Sequence, residues 1–376
     1  MKKVLIEKIS NILSPGFVLE HISRFQKYLI FSAEQGAVTD SDLSRIIAEL
    51  MSHDFFPQVR KKDQKIYIYV FPQLKGTEKS RVWIHILLFI ATIFTTMMAG
   101  AIMVEKNFPQ DFSLILSGLK YSFAVLTILT MHEMGHYFAA RYHKMKVTLP
   151  YYIPLPLPGF HFGTLGAFIR IKSPIPNRRA LLDTAVGGPL AGFFASLIFL
   201  IIGYWLLPDW EGIVAYIEKI HPMDGTKVGI NLILGKSLLF MVFNDLIGGS
   251  RLPMNEVYHF PFIFAGWIGF LVTAINLIPI GQLDGGHILY ALFGKKARFV
   301  GIFFFLLLLI LNFVLIIRYF SFVWVLWIVL IFLLIGFRHP PTMQDELPLN
   351  NMKKFLGWFC LFIFILCFTP LPIYIG

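Results

Sequence analysis

The residues best suited to chemistry are His132, Glu133 and His136, in the run His132-Glu133-Met134-Gly135-His136. On an α-helix two histidines four residues apart lie about 40° apart around the axis and about 6 Å apart along it, so both imidazoles reach one ion. Neutral imidazole suits zinc, and a carboxylate next to the first histidine is placed to take a proton from water at that ion. The run Phe123-Ala124-Val125-Leu126-Thr127-Ile128-Leu129-Thr130-Met131 leads into this group and is apolar. Ionisable side chains in such a setting are costly unless paired or bound to metal. The bland reading is a few hydrogen-bonded polar residues joining helices, and it leaves the spacing of the three unexplained.

A catalytic zinc takes three protein ligands and keeps one position for water. Asp284 is the best third ligand, in Asn276-Leu277-Ile278-Pro279-Ile280-Gly281-Gln282-Leu283-Asp284-Gly285-Gly286-His287. Pro279 and the glycines interrupt a membrane helix there and let backbone and carboxylate approach the ion. His287 is the rival ligand, and a helix-capping carboxylate is the ordinary reading of Asp284.

The elements that position these residues lie in a membrane. Of 376 residues 56% are hydrophobic and 16% aromatic, and the mean hydropathy is +0.69, which excludes an ordinary soluble domain. The net charge of +11 would raise nucleic-acid binding in a soluble protein. Here the basic residues flank apolar runs and read as topology signals, so no nucleic-acid partner is expected. Runs near the roughly 20 residues needed to cross hydrocarbon fall at 83–103, 119–142, 180–207, 261–282, 299–317, 319–337 and 355–375. The expected fold is a polytopic α-helical membrane protein with about seven spans, a short membrane-surface β segment and a small N-terminal α/β cytoplasmic domain. Three regions follow: 1–80 as that domain, 81–298 as the membrane core with the metal residues, and 299–376 as further C-terminal transmembrane helices.

Placing the N-terminal domain in the cytoplasm puts Lys75, Lys79, Arg81, Arg141, Lys144, Lys146, Arg170, Lys172, Arg178, Arg179, Lys295, Lys296, Arg298, Arg338, Lys353 and Lys354 on that same side, as the positive-inside bias requires. The acidic loop at 208–227 then lies outside, and the apolar stretch 230–247 must re-enter or lie in the interface. Within the first region Leu5, Ile6, Ile9, Ile12 and Leu13 repeat at helical spacing, which suits a helix on the membrane surface. Thr39-Asp40-Ser41-Asp42 caps a helix carrying Leu43, Ile46, Ile47 and Leu50, and Ile66–Phe71 reads as a strand. Lys2 and Lys3 precede a short apolar run, but Glu7 and Lys8 interrupt it, so no cleaved leader is expected. Cys360 and Cys367 have no metal or disulfide spacing around them and read as packing residues.

After the metal helix, Pro150–Pro158 prevents helix continuation. The β-prone stretch Phe162–Ile171 follows, with Gly163, Thr164 and Gly166 as a candidate strand for pairing with extended substrate. Gly187-Gly188-Pro189-Leu190-Ala191-Gly192 clears side chains from a helix so that another can approach, and reads as packing. Asn276 is a candidate oxyanion or substrate contact, with an interhelical hydrogen bond as the equal alternative. His161, His259 and His339 read as ordinary interfacial histidines.

Together these blocks resemble the site-2 proteases, intramembrane zinc metalloproteases, and within them the cyanobacterial and chloroplast-like branch. Three blocks carry the resemblance: His132-Glu133-Met134-Gly135-His136, Gly187-Gly188-Pro189-Leu190-Ala191-Gly192, and Asn276 to Gly286 with its Asn-x-x-Pro-x-x-x-Leu-Asp-Gly-Gly pattern. It runs from about Trp83 to Lys296, and no inserted PDZ domain fits between the metal blocks. The resemblance implies ligands His132, His136 and Asp284 for one zinc ion, a general base at Glu133, and hydrolysis of peptide bonds in or beside transmembrane segments. It also implies a transmembrane protein substrate, a lipid bilayer environment and a bacterial inner membrane. A zinc-binding scaffold or chaperone without catalysis is the alternative. A metal transporter is a third class, but the chain shows no repeated half-sites or series of intramembrane acids to form a path.

Overall fold

Thr39 starts the best-defined helix of the N-terminal region. Its hydroxyl accepts from the Asp42 amide at 3.1 Å while the Asp42 carboxylate accepts from the Thr39 amide, a reciprocal cap that satisfies two otherwise orphaned donors. The Thr39 hydroxyl also donates to the Asp42 carboxylate at 2.6 Å, and this bond, with the one from the Thr39 amide, holds the Asp42 carboxyl below its usual range. The computed structural model describes residues 3–13, 17–22, 29–34, 36–53, 55–72, 81–105, 107–157, 162–220, 232–248, 252–337 and 339–375, and the chain divides into two units.

The first unit is Met1–Lys79 with Lys172–Arg178 and Pro340–Pro348. It contains α1 (Lys3–Leu13), β1 (Val18–Ile22), β2 (Leu29–Glu34), α2 (Asp40–Ser52), β3 (Phe55–Lys62) and β4 (Lys65–Pro72). The strands form one antiparallel sheet in the order β1-β2-β4-β3. Asp63 and Gln64, both at positive φ, make the two-residue turn that matches the twist of β3 and β4. The expected helix over Leu43–Leu50 and the expected strand over Ile66–Phe71 are present as α2 and β4.

The apolar stripe of α1 has a different partner from the one its periodicity suggests. Ile9 and Leu13 are fully buried against Leu29, Phe31, Leu43, Leu50, Ile66, Ile68 and Met343, in a protein core rather than on a membrane surface. A helix with one apolar stripe suits either solvent boundary. The sheet face supplied by β2 and β4 decides it. The two short outlying segments join this unit through backbone bonds: the Val59 amide donates to the Met343 carbonyl, and the Met343 amide donates to the Ile175 carbonyl. Segments this short carry no periodicity by which sequence could assign them.

The second unit is Ser80–Ile171, Arg179–His339 and Leu349–Gly376. It runs α3 (Val82–Val104), α4 (Leu119–Tyr142), β5 (Tyr151–Pro154), β6 (Thr164–Phe168), α5 (Arg178–Trp205), α6 (Trp210–Ile220), β7 (Leu232–Leu234), α7 (Leu238–Leu246), α8 (Pro261–Asn276), α9 (Asp284–Phe293), α10 (Ala297–Tyr319), α11 (Val325–Leu330), α12 (Asn351–Cys367) and β8 (Ile373–Ile375). Four helical stretches among the described residues are long and apolar enough to cross a membrane: Val82–Val104, Phe112–Tyr142, Arg178–Trp205 and Asp284–Tyr319. The other expected spans are shorter or broken. α8 has 16 residues and α12 has 17, while the 319–337 run divides into α11 and a π-helical turn at Ile331–Ile335.

The stretch after residue 230 holds β7 and the nine-residue α7, about 14 Å long at 1.5 Å per residue and too short to cross. The expected outer loop contains α6, whose Ile213 and Ile220 are buried. Residues 221–231 lie outside the described residues, as does His161. Cys360 and Cys367 are buried and free on α12.

β5 and β6 form an antiparallel hairpin that is tied to α3 and α4 by polar side chains. The Thr95 hydroxyl donates to the Gly163 carbonyl at 2.7 Å, and the Tyr121 hydroxyl donates to the Phe162 carbonyl at 2.9 Å. The Gly163 carbonyl also accepts from the Leu155 amide at 3.1 Å, so the start of β6 is held by both the hairpin and the helices. α4 packs on α5 and α8 through Ala124, Ile128, Ala195, Phe199 and Ala265, which encloses the polar end of α4.

Candidate metal centre

α4 presents His132 and His136 on one face, both buried at 4% and 8% exposure. α8 ends at Asn276, and the seven residues 277–283 turn the chain so that Asp284 opens α9. Gly281 makes this turn possible: its φ is +57° and a Cβ there would lie 2.0 Å from the Gly336 carbonyl oxygen, a place only glycine fills. The break brings Asp284 Oδ2 to 3.5 Å from His132 Nε2 and 3.3 Å from His136 Nε2, while the two Nε2 atoms are 3.1 Å apart.

These three separations decide what the cluster fits. Tetrahedral zinc with bonds of about 2.1 Å has ligand atoms about 3.4 Å apart, and the set of 3.1, 3.3 and 3.5 Å brackets that edge. His136 Nδ1 lies 2.7 Å from the Thr184 carbonyl, an acceptor only. Nδ1 therefore carries the proton and Nε2 keeps its lone pair toward the cluster, the outer hydrogen bond that metal-bound histidines need. Two histidines and a carboxylate on a water-accessible ion are the donor set of a hydrolytic zinc site. Among the described residues this is the group of three or more such side chains that converge on one point.

His287, the rival ligand, points elsewhere: its Nδ1 lies 2.6 Å from His339 Nε2, and His339 stacks on Tyr290. His259 is buried, bonded to the Met103 carbonyl, and faces Glu256 at 3.4 Å. Asn276 does reach the centre, its Nδ2 lying 3.2 Å from His132 Nε2.

Glu133, 6% exposed, turns toward the hairpin, with the Ile169 amide beside its carboxylate. Backbone groups alternate direction along a strand, so the edge that sends the Ile169 amide to Glu133 also presents the Ala167 amide. Gly163 and Thr164 are committed inside the fold: Gly163 backs onto Thr96 of α3, and the Thr164 hydroxyl donates to the Ile153 carbonyl at 2.9 Å. Gly166, at φ +103°, has open space beside it. Tyr152 on β5 is 2.7 Å from the Thr130 hydroxyl, which donates to the Leu126 carbonyl. The phenol is therefore the donor of that pair. Burial, opposed by the Thr130 bond and reinforced by the Glu133 charge, raises its pKa and keeps it protonated.

Sequence reasoning did not find the Thr184 carbonyl, the Ile169 amide or the Tyr152–Thr130 pair. The first two are backbone groups, identical in every residue type. Tyr152 lies in Pro150–Pro158, whose prolines signalled only that the preceding helix stops.

The glycine block also has a more specific task than general packing. A Cβ at Gly188 would lie 2.1 Å from His136 Nε2, and one at Gly192 would lie 2.9 Å from His132 Nδ1. α5 is thus the wall of the metal centre. Gly188→Ala should displace the His136 ring and weaken zinc binding by about 10- to 100-fold, the range of lost supporting contacts. Zinc titration of the purified variant against a competing chelator measures it, and unchanged affinity would remove α5 from the wall.

Residues 120–314 match the family model described as Peptidase family M50. The chain belongs to this family. Relatives include the probable zinc metalloprotease EGY1, chloroplastic, of Oryza sativa subsp. japonica, 31% identical over 57% of this chain and 38% of the relative. The probable zinc metalloprotease EGY2, chloroplastic, of Oryza sativa subsp. indica is 32% identical over 55% and 36%. The EGY2 protein of Arabidopsis thaliana is 29% identical over 75% and 48%. The chain thus spans less than half the length of these relatives. No solved structure matches it significantly. The M50 match covers α4, α5, α8 and α9, the helices that carry the three convergent donors, the Thr184 carbonyl and Glu133.

Proposed function

We propose that this M50 peptidase is a zinc endopeptidase that cuts peptide bonds in or beside transmembrane segments of membrane proteins, as in regulated intramembrane proteolysis. One observation carries the reading: a buried carboxylate, Glu133, beside a tetrahedrally spaced Nε2, Nε2 and Oδ2 set on apolar helices. His132, His136 and Asp284 would hold the ion. Zinc bound there would supply Lewis acidity for acidifying water and polarising a carbonyl. Glu133 takes the proton of the attacking water and returns it to the leaving amine. The Asn276 amide, 3.2 Å from His132 Nε2, donates to the carbonyl oxygen as negative charge develops on it.

A transmembrane helix hides its carbonyls in its own hydrogen bonds, so the substrate must unwind at the cut. The outer edge of β6 takes the extended segment by strand addition, Gly166 giving it close approach, while Gly163 and Thr164 hold the strand in place. Ala167→Pro deletes an amide on that edge and spares residues of the opposite parity. We expect cleavage to fall at least about tenfold with zinc content and melting temperature retained, whereas parental cleavage would exclude pairing there.

The chain is proposed to cross the bilayer about seven times, the shorter helices α8 and α12 and the broken 319–337 run completing the four long ones. Residues 1–80 form a soluble domain, 81–298 the protease core and 299–376 additional membrane helices. The basic residues support a cytoplasmic N-terminal domain in a bacterial inner membrane; the chloroplast is the compartment named for the plant relatives.

Comparative proteomics of membrane fractions tests the function. A span-containing protein should accumulate uncut in cells carrying Glu133→Gln and be processed in cells with the parental protein. If the cellular effect of the protein survives that substitution, the non-catalytic zinc scaffold is the better reading.

A further inference from the structure

A second polar cluster sits just beyond the metal centre, where α4 ends. His143 follows the last residue of α4, and its Nε2 lies 2.9 Å from Asp183 Oδ2 on α5. Lys353, in the first turn of α12, donates to Asp183 Oδ1. One carboxylate, 18% exposed, therefore joins three helices. The next residue, Thr184, supplies the carbonyl that receives the His136 Nδ1 proton at 2.7 Å.

α4 and α5 touch at backbone level: a Cβ on Gly135 would lie 2.2 Å from the Gly187 carbonyl oxygen. At that crossing backbone faces backbone, with no side chain between to absorb a shift. Apolar contact holds such helices together but resists sliding weakly, because it has little direction. Hydrogen-bonded ion pairs are directional. A slide or rotation of α5 would move the Thr184 carbonyl off Nδ1 and bring Gly188 against the ring.

We propose that Asp183 is a positioning residue of the metal centre: held by His143 and Lys353, it sets the register of α5 on α4 and so the Thr184 carbonyl that orients His136. This rests on the zinc reading above. Lys353 touches none of the convergent donors and acts only through Asp183, so α12 contributes to metal retention from outside the site.

The test uses the full-length protein loaded with zinc in lipid nanodiscs, challenged with excess EDTA, with retained zinc followed by elemental mass spectrometry. Asp183→Asn and Lys353→Met should release zinc about tenfold faster than the parent, within the range for lost outer hydrogen bonds. Lys353→Arg, which keeps the ion pair, should return the parental half-life. A half-life unchanged in Asp183→Asn and Lys353→Met, with only a lowered melting temperature, would reduce the cluster to a structural tie and overturn the proposal. Should Asp183→Asn fail to fold, Lys353→Met and Lys353→Arg decide the question alone. A parental protein that holds no stoichiometric zinc would instead sink the zinc reading, which separates the two failures.

Discussion

Glu133→Gln will leave zinc bound at one per chain and lower the cleavage rate by about 10³-fold, within the usual range for general acid–base catalysis. The amide has the size of the carboxylate, and its oxygen can still face the Ile169 amide beside it. It cannot take a proton from water. Zinc remains because Glu133 is outside the three converging donors. On the proposed mechanism the loss should fall on kcat, with KM little changed, because Glu133 would act on the reacting atoms and the β6 edge would carry the substrate. Single-turnover cleavage of a reconstituted span substrate, beside a zinc assay on the same sample, measures both. Turnover within tenfold of the parent would mean that another group accepts the proton.

Asp284→Ala will abolish stoichiometric zinc binding. Removing a ligand costs more than the 10- to 100-fold typical of its supporting partners, so affinity should fall by well over about 100-fold. The two Nε2 atoms, 3.1 Å apart, then face each other with no carboxylate to complete the set. His287→Ala is the matched control, because its ring is engaged with His339 at 2.6 Å. It should keep zinc. The opposite pattern, zinc kept in Asp284→Ala and lost in His287→Ala, would exchange the two assignments. Since Asp284 and the histidines lie on helices remote in sequence, a metal that bridges them also joins α9 to α4. Chelation of the parental protein should therefore lower its melting temperature, and Asp284→Ala should not respond to chelator.

The legible part of this protein is local in origin. His132, Glu133 and His136 lie within five residues, so helical spacing alone brings the two imidazoles to one ion. The cap at Thr39, the strand at Ile66–Phe71 and the long apolar runs are likewise patterns held within one element. The break at Pro279 and its glycines is also legible, because proline and glycine restrict or free the backbone whatever surrounds them.

Sequence left Asp284 and His287 in competition for a physical reason. They are three residues apart and share one helix face, and only the start of α9 at Asp284, with His339 opposite His287, separates their directions. The stripe of α1 was open to membrane or core in the same way until the sheet supplied its partner. Thr184 and Ile169 act through backbone groups that every residue carries, and Asp183 meets His143 and Lys353 across separations of 40 and 170 residues. The sequence by itself thus determined a metal-binding helix, its carboxylate and an apolar, helical setting. Which remote groups face that helix was decided only by tertiary structure, since long-range contacts depend on how whole elements pack and leave no period in the chain.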